Sequence, residues 1–246
     1  MSRPELARPR EISSLFGDAI GVYLRNAGTF LALSAAIVVP VHLIVEGIGM
    51  EQLTAGFDDS PEAAEAIIPT LVSFLVVAPL INAICIHALH SVGAGERPRA
   101  RSALAAGLDD FAPIFFAVVL AGIGIAIGLV LLILPGIYLA VRWYFVPQTV
   151  VVEGARRTAA LDRSGDLVRG MWWRTFGLVL LANLAAFLPG VLLITPFDAI
   201  ADNSDRALWS LVGTMASEIV TAPFVALFST LLYYDLRARK RDALVL

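Results

Sequence analysis

One cysteine, Cys85, and one lysine, Lys240, stand among 246 residues. A lone thiol closes no disulfide and supplies no multi-cysteine metal site. Charge is also scarce: 16% of the residues are charged, against about a quarter in soluble domains. The formal net charge of −3 leaves no basic footprint for nucleic acid. GxxxxGK[ST], HExxH, GxSxG and paired-cysteine motifs are all missing. Arg163-Ser164-Gly165-Asp166 lies within a helical pattern and resembles no phosphate loop. No catalytic residue, cofactor or metal ligand follows from the sequence, and no enzyme is expected.

What is abundant is apolar: 58% of residues are hydrophobic and the mean hydropathy is +0.80. A soluble core of this chain length could not hide so much apolar surface, whereas bilayer lipid hides it readily. Windows of about 20 residues give spans near 27–49, 66–91, 111–134, 137–153, 175–197 and 208–235. The expected fold is therefore all-α, a polytopic bundle of about six transmembrane helices. Residues 1–26 form an N-terminal segment, 27–236 one membrane domain and 237–246 a basic tail. The first apolar run lacks a small-residue cleavage site and reads as a retained span, not a signal peptide. Pro135-Gly136 predicts a tight turn between antiparallel third and fourth spans. The alternative makes 133–154 a re-entrant element.

The arginines predict orientation. Segments 1–26, 92–110, 154–174 and the tail hold sixteen basic residues, whereas the opposite side has only Arg206 and collects acids such as Asp58, Asp59, Asp198 and Asp202. Both termini are expected on the cytoplasmic side of a bacterial cell membrane. One lysine amid abundant alanine fits a GC-rich bacterial genome. Each pair of spans follows a segment with helical apolar spacing, which predicts three interfacial amphipathic helices and a threefold hairpin repeat. In the first of these, Ile12, Leu15, Phe16, Ala19, Ile20 and Tyr23 share a face.

Leu134-Pro135-Gly136-Ile137, Arg142-Trp143, Pro147, Glu153-Gly154, Arg163-Ser164, Leu167-Val168, Trp172-Trp173 and Phe176 form a recognisable pattern. With Tyr23-Leu24-Arg25-Asn26 and Tyr233-Tyr234-Asp235-Leu236-Arg237, they resemble a bacterial multi-pass membrane family. That family is related to the membrane domain accompanying some glycerophosphodiester phosphodiesterases. The resemblance implies a helical membrane bundle but not the enzyme's activity. The soluble catalytic barrel has no counterpart, since no extramembrane segment exceeds about 26 residues.

The polar residues inside spans carry the remaining information. Arg142 is expected to cost roughly 2.5–3.5 kcal/mol near the bilayer centre. It either snorkels outward beside Trp143 and Tyr144 or pairs with an interior acid. Glu218 is the favoured partner and Glu46 the second choice. His42 lies one helical turn from Glu46, so Arg142, Glu218, His42 and Glu46 form the candidate intramembrane cluster. His87 and His90 are expected to bond carbonyls or headgroups. Ser210, Thr214, Ser217 and Thr221 form a stripe, and Gly124 and Gly128 a GxxxG motif; both read as packing seams. The expected role is scaffolding or a lipid- or envelope-associated function. The expected partners are membrane lipids and other membrane proteins. The alternative is a transporter or lipid-handling protein with an outward-facing polar cavity around the cluster; an intramembrane enzyme ranks third.

Overall fold

A computed structural model describes residues 9–48, 70–96, 98–204 and 208–243. The described chain is almost entirely helical and contains no strand. Its elements are α1 (Ile12–Arg25), α2 (Ala27–Ile48), a π-helical turn (Ser73–Val77) leading into α3 (Ala78–Gly93), α4 (Ala100–Leu131), α5 (Ile133–Arg142), α6 (Val146–Glu153), α7 (Thr158–Val168), α8 (Trp172–Ser204) and α9 (Leu208–Ala243). The π turn immediately precedes Pro79, whose missing N–H leaves one rung of the helical ladder open. Five helical stretches are long and apolar enough to cross a membrane: Ala27–Val45, Thr70–Gly93, Ala100–Leu131, Trp172–Ala201 and Leu208–Asp242.

The α8–α9 hairpin is the longest antiparallel packing. Phe197 faces Gly213 and Trp209, Gly190 faces Ser217, and Arg174 meets Asp235. The small-hydroxyl stripe is part of this seam. Ser217 and Thr221 abut Gly190, while Thr214 and Thr221 donate to the carbonyls of Ser210 and Ser217 one turn back. Leu227, Leu231, Leu232 and Tyr233 of α9 are fully buried, so this helix is the bundle's axis.

Three local features differ from the sequence reading. First, the fourth span is not one helix. α5 ends at Arg142, and α6 begins only at Val146. Ser164 of α7, fully buried, bridges the break by donating to the Arg142 carbonyl at 2.9 Å and accepting from Phe145 N–H at 3.2 Å. Without that hydroxyl, two backbone groups would lose partners, which is costly in an apolar interior.

Second, the reversal before this region falls at Leu132, whose backbone is extended, and not at Pro135-Gly136. Pro135 sits instead in the first turn of α5, where a missing N–H is harmless. Gly136 packs on Gly128 and Leu129, where a Cβ would come within 2.4 Å of the Leu129 side chain. Gly124, the other half of GxxxG, receives the Trp143 ring. The motif is a packing groove within the α4–α5 hairpin.

Third, α1 docks on protein. Leu15, Ala19 and Val22 are fully buried, and contacts Arg10–Asp235, Phe16–Phe228 and Tyr23–Val220 run antiparallel along α9. The Tyr23 hydroxyl donates to the Val220 carbonyl at 2.9 Å, next to the carbonyl that Pro223 deprives of its donor. Residues 100–110, expected as a separate interfacial helix, are continuous with α4.

Candidate functional site

The predicted cluster does not assemble as expected. His42 Nε2 lies 2.7 Å from Glu218 Oε2, so the half-buried acid of α9 is paired with α2 rather than with Arg142. Glu46 falls in α2, but its side chain lies outside the described ones. Arg142 forms no ion pair among the described residues. Its guanidinium turns toward the arginine-rich segment, lying over Gly165 beside Arg169, Gly170 and Trp172. A guanidinium at the end of a short helix finds its lowest energy where it can reach polar surroundings, and here the chain break brings α7 to it. Among the described residues, His42 and Glu218 close on each other, while Arg142 lies against α7. The histidines also differ from expectation: His87 bonds Asp110 at 2.8 Å and His90 bonds the Tyr234 hydroxyl at 2.5 Å. Among the described residues, no group of three or more His, Cys, Asp or Glu could hold a metal ion.

A cavity lies elsewhere. A cleft of about 350 Å³ lies between α3, α4, the α5–α6 break, α8 and α9 and is partly open. Its walls are apolar, with Phe74, Val118, Ala121, Ile125, Ala140 and Trp143 prominent. One side is polar. Gln148 of α6 donates through Nε2 to Asn82 Oδ1 at 3.2 Å and to Ser229 Oγ at 2.9 Å. Asn82 is anchored in turn to the Ala78 carbonyl one turn back at 2.9 Å. Tyr144 and Asn183 also line the space, and Asn183 Nδ2 donates to the Val179 carbonyl at 2.8 Å.

The amide of Gln148 is the exception in this arrangement. It is 1% exposed, and its Oε1 has no hydrogen-bond partner. Leaving a buried acceptor unmet costs about 1–3 kcal/mol. Turning the amide over would exchange oxygen for NH2 and still leave one polar atom free. A chemical group entering the cavity with a donor would remove that penalty. Sequence reading passed over Asn82, Gln148 and Ser229 because each is a lone amide or hydroxyl in an apolar run. Their only shared signal was polarity inside three different spans.

A second polar centre ties the chain ends together. Asp235 of α9 is fully buried and accepts from Arg10 N–H at 2.6 Å, Arg174 Nη2 at 3.2 Å and Arg239 Nε at 3.0 Å. Arg10 Nε pairs with Asp18 at 3.1 Å, and the Arg10 carbonyl accepts from Arg174 and Arg239. The Tyr233 hydroxyl, beside Asp235 in sequence, donates to Glu153 at 2.5 Å and fixes the end of α6 against α9. These contacts hold the chain ends and α8 together, although Arg174 Nε is buried without a hydrogen-bond partner.

No curated protein matches the chain, and no solved structure does. One family model matches residues 27–236, most of the chain, and carries every helix that lines the cavity. The chain therefore belongs to the family described as Domain of unknown function (DUF7847).

Proposed function

We propose that this is a multi-pass membrane protein that handles a lipid-like amphiphile without catalysing a reaction, with the guest's apolar part in the cavity beside Gln148. The observation that carries the reading is the unpartnered Gln148 Oε1 inside an otherwise apolar space of about 350 Å³. Ligand cavities of about 300–1,000 Å³ with apolar walls and a few fixed polar groups are the common form of small-molecule sites. A hydroxyl or amide donor on the guest would satisfy the oxygen, and apolar walls would take the adjoining chain. The missing catalytic motifs favour holding over turnover. The resemblance to phosphodiesterase-associated membrane domains points in the same lipid direction but brings no activity with it.

The path through the membrane belongs to the same proposal. The arginine-rich segments face the cytoplasm, with both termini on that side. Val130, Leu131, Leu132, Ile133 and Leu134 at the α4–α5 reversal are 87%, 72%, 68%, 68% and 79% exposed. A turn that meets water is normally polar; this one offers water nothing. From Phe111 to Leu131 α4 rises about 30 Å, the full hydrocarbon depth of about 30 Å, and α5 and α6 return over a similar height. The α4–α6 hairpin thus enters from the arginine-rich side, carries its apolar turn to the far edge of the hydrocarbon and returns, beside crossings α2, α3, α8 and α9. Pro135 suits that location because it removes one backbone donor that lipid could not satisfy.

Substituting Ala140→Phe tests the function by filling the cavity from α5 without touching the Gln148 network. Native mass spectrometry of protein purified in mild detergent should show a retained small amphiphile on the wild type and its loss from the variant, at unchanged or raised Tm. Equal retention by both proteins, or no guest on either after reconstitution in bacterial lipid extract, would count against the site. In that event a scaffolding role, favoured by the absence of catalytic motifs, is the reading that stands.

A further inference from the structure

Arg142 lines a second, smaller cavity that the amphiphile site does not use. It is about 100 Å³ in volume, and its walls are Tyr138, Arg142, Gly165, Val168, Arg169, Gly170 and Trp172. Two guanidinium-bearing residues therefore contribute to one cleft, and no carboxylate lines it. Arg169 does have a neighbour, Asp166, at 3.0 Å, but that contact is 73% and 58% exposed on its two sides. An exposed pair of this kind is worth little and exchanges readily. Arg142 has no acidic partner at all among the described residues.

The cleft is built rather than incidental. The carbonyl of Arg142 is held by Ser164, and its guanidinium passes over Gly165, where a Cβ would come within 2.7 Å of Nε. Any side chain at 165 would displace it. The aromatic wall is fixed too. Trp172 donates to the Tyr138 carbonyl at 3.3 Å and stacks between Tyr138 and Phe176, with ring centroids 6.0 and 5.2 Å away. Trp173 beside it is 77% exposed, which suits an indole at the boundary between lipid and water.

An arginine with no acidic partner among the described residues, beside a second whose exposed pair is weak, attracts an anion, and guanidinium geometry matches the oxygens of a phosphate. A volume of about 100 Å³ accommodates one such group. We propose that the Arg142–Arg169 cleft binds a single tetrahedral phosphate group, as carried by an anionic phospholipid headgroup or by free inorganic phosphate. This assignment answers why a permanent charge is kept within so apolar a stretch, and it stands independently of the Gln148 cavity.

The test uses full-length protein carrying Ala140→Phe, which fills the Gln148 cavity and leaves Arg142 and Arg169 wild type, in dodecyl maltoside, titrated with dioctanoyl phosphatidylglycerol, dioctanoylglycerol or inorganic phosphate while tryptophan fluorescence is followed. The phospholipid should bind, and dioctanoylglycerol, which lacks the phosphate, should not. Arg142→Gln should weaken binding at least about ten-fold, the scale of one lost charge-assisted contact. Arg142→Lys should recover part of that loss. Should Arg142→Gln fail to fold, Arg169→Gln alters a side chain that is 73% exposed and should still weaken binding several-fold. Inorganic phosphate competing with the phospholipid would identify a free-anion site; phospholipid binding alone would identify a headgroup site. Equal affinity across wild type and both glutamine variants, or equal binding of the phosphate-free lipid, would overturn the proposal.

Discussion

At the scale of single residues, what matters is whether each buried polar atom has a partner. Asp235 is the best-satisfied example: three donors converge on a fully buried carboxylate. Removing one member of a buried charged network leaves the others uncompensated, at a cost of about 3–5 kcal/mol. Asp235→Ala should therefore lower the Tm of detergent-solubilised protein strongly. Asp235→Asn, which keeps the shape and one acceptor, should lower it less. A Tm change under about 1 °C for the alanine variant would show that the network carries no stability. None of this was legible residue by residue, since Arg10 and Asp235 are 225 positions apart. Arg10 and Arg174 could be read only as topology signals. Glu218 was rightly suspected of needing a companion, but its choice of His42 over Arg142 depended on which helices meet.

Among elements, the α4–α5 hairpin and α1 depart most from simple hydropathy. A window average sees one apolar stretch at 137–153, because neither the extended Leu132 nor the break before Val146 changes composition. Both are visible only when Ser164 and Gly128 are brought against them. The submerged reversal predicts a labelling pattern. In a Cys85→Ala background, a cysteine at Asp198 should react with membrane-impermeant maleimide from outside intact cells. One at Leu132 should stay unreactive from both faces until detergent is added. Reaction at Leu132 equal to that at Asp198 would place the turn in water. For α1, helical spacing correctly marked Leu15, Phe16 and Ala19 as one face, but spacing cannot say whether lipid or another helix covers it. Phe228 and Val220 made that choice.

For the whole molecule, the governing fact is apolar surface that the fold leaves uncovered. Phe116, Phe187, Leu188 and Leu192 are 63%, 62%, 66% and 73% exposed, and in water such a belt would aggregate. Protein stripped of detergent should precipitate in plain buffer, and return to bilayer nanodiscs should preserve a monodisperse helical species by circular dichroism and gel filtration. A soluble, lipid-free monomer would contradict membrane residence. Composition and periodicity by themselves determined the all-α class, the apolar helices and the uneven distribution of arginine, because burial in lipid is a one-dimensional demand that each segment meets alone. Only tertiary structure decided that His42 meets Glu218, that Arg142 leans on Gly165, and that Asn82, Gln148 and Ser229 share one cavity. Those outcomes depend on helix rotation and on a three-residue break. In a medium where every apolar face is equally content, such details are set by close packing and by the few polar atoms that must find each other.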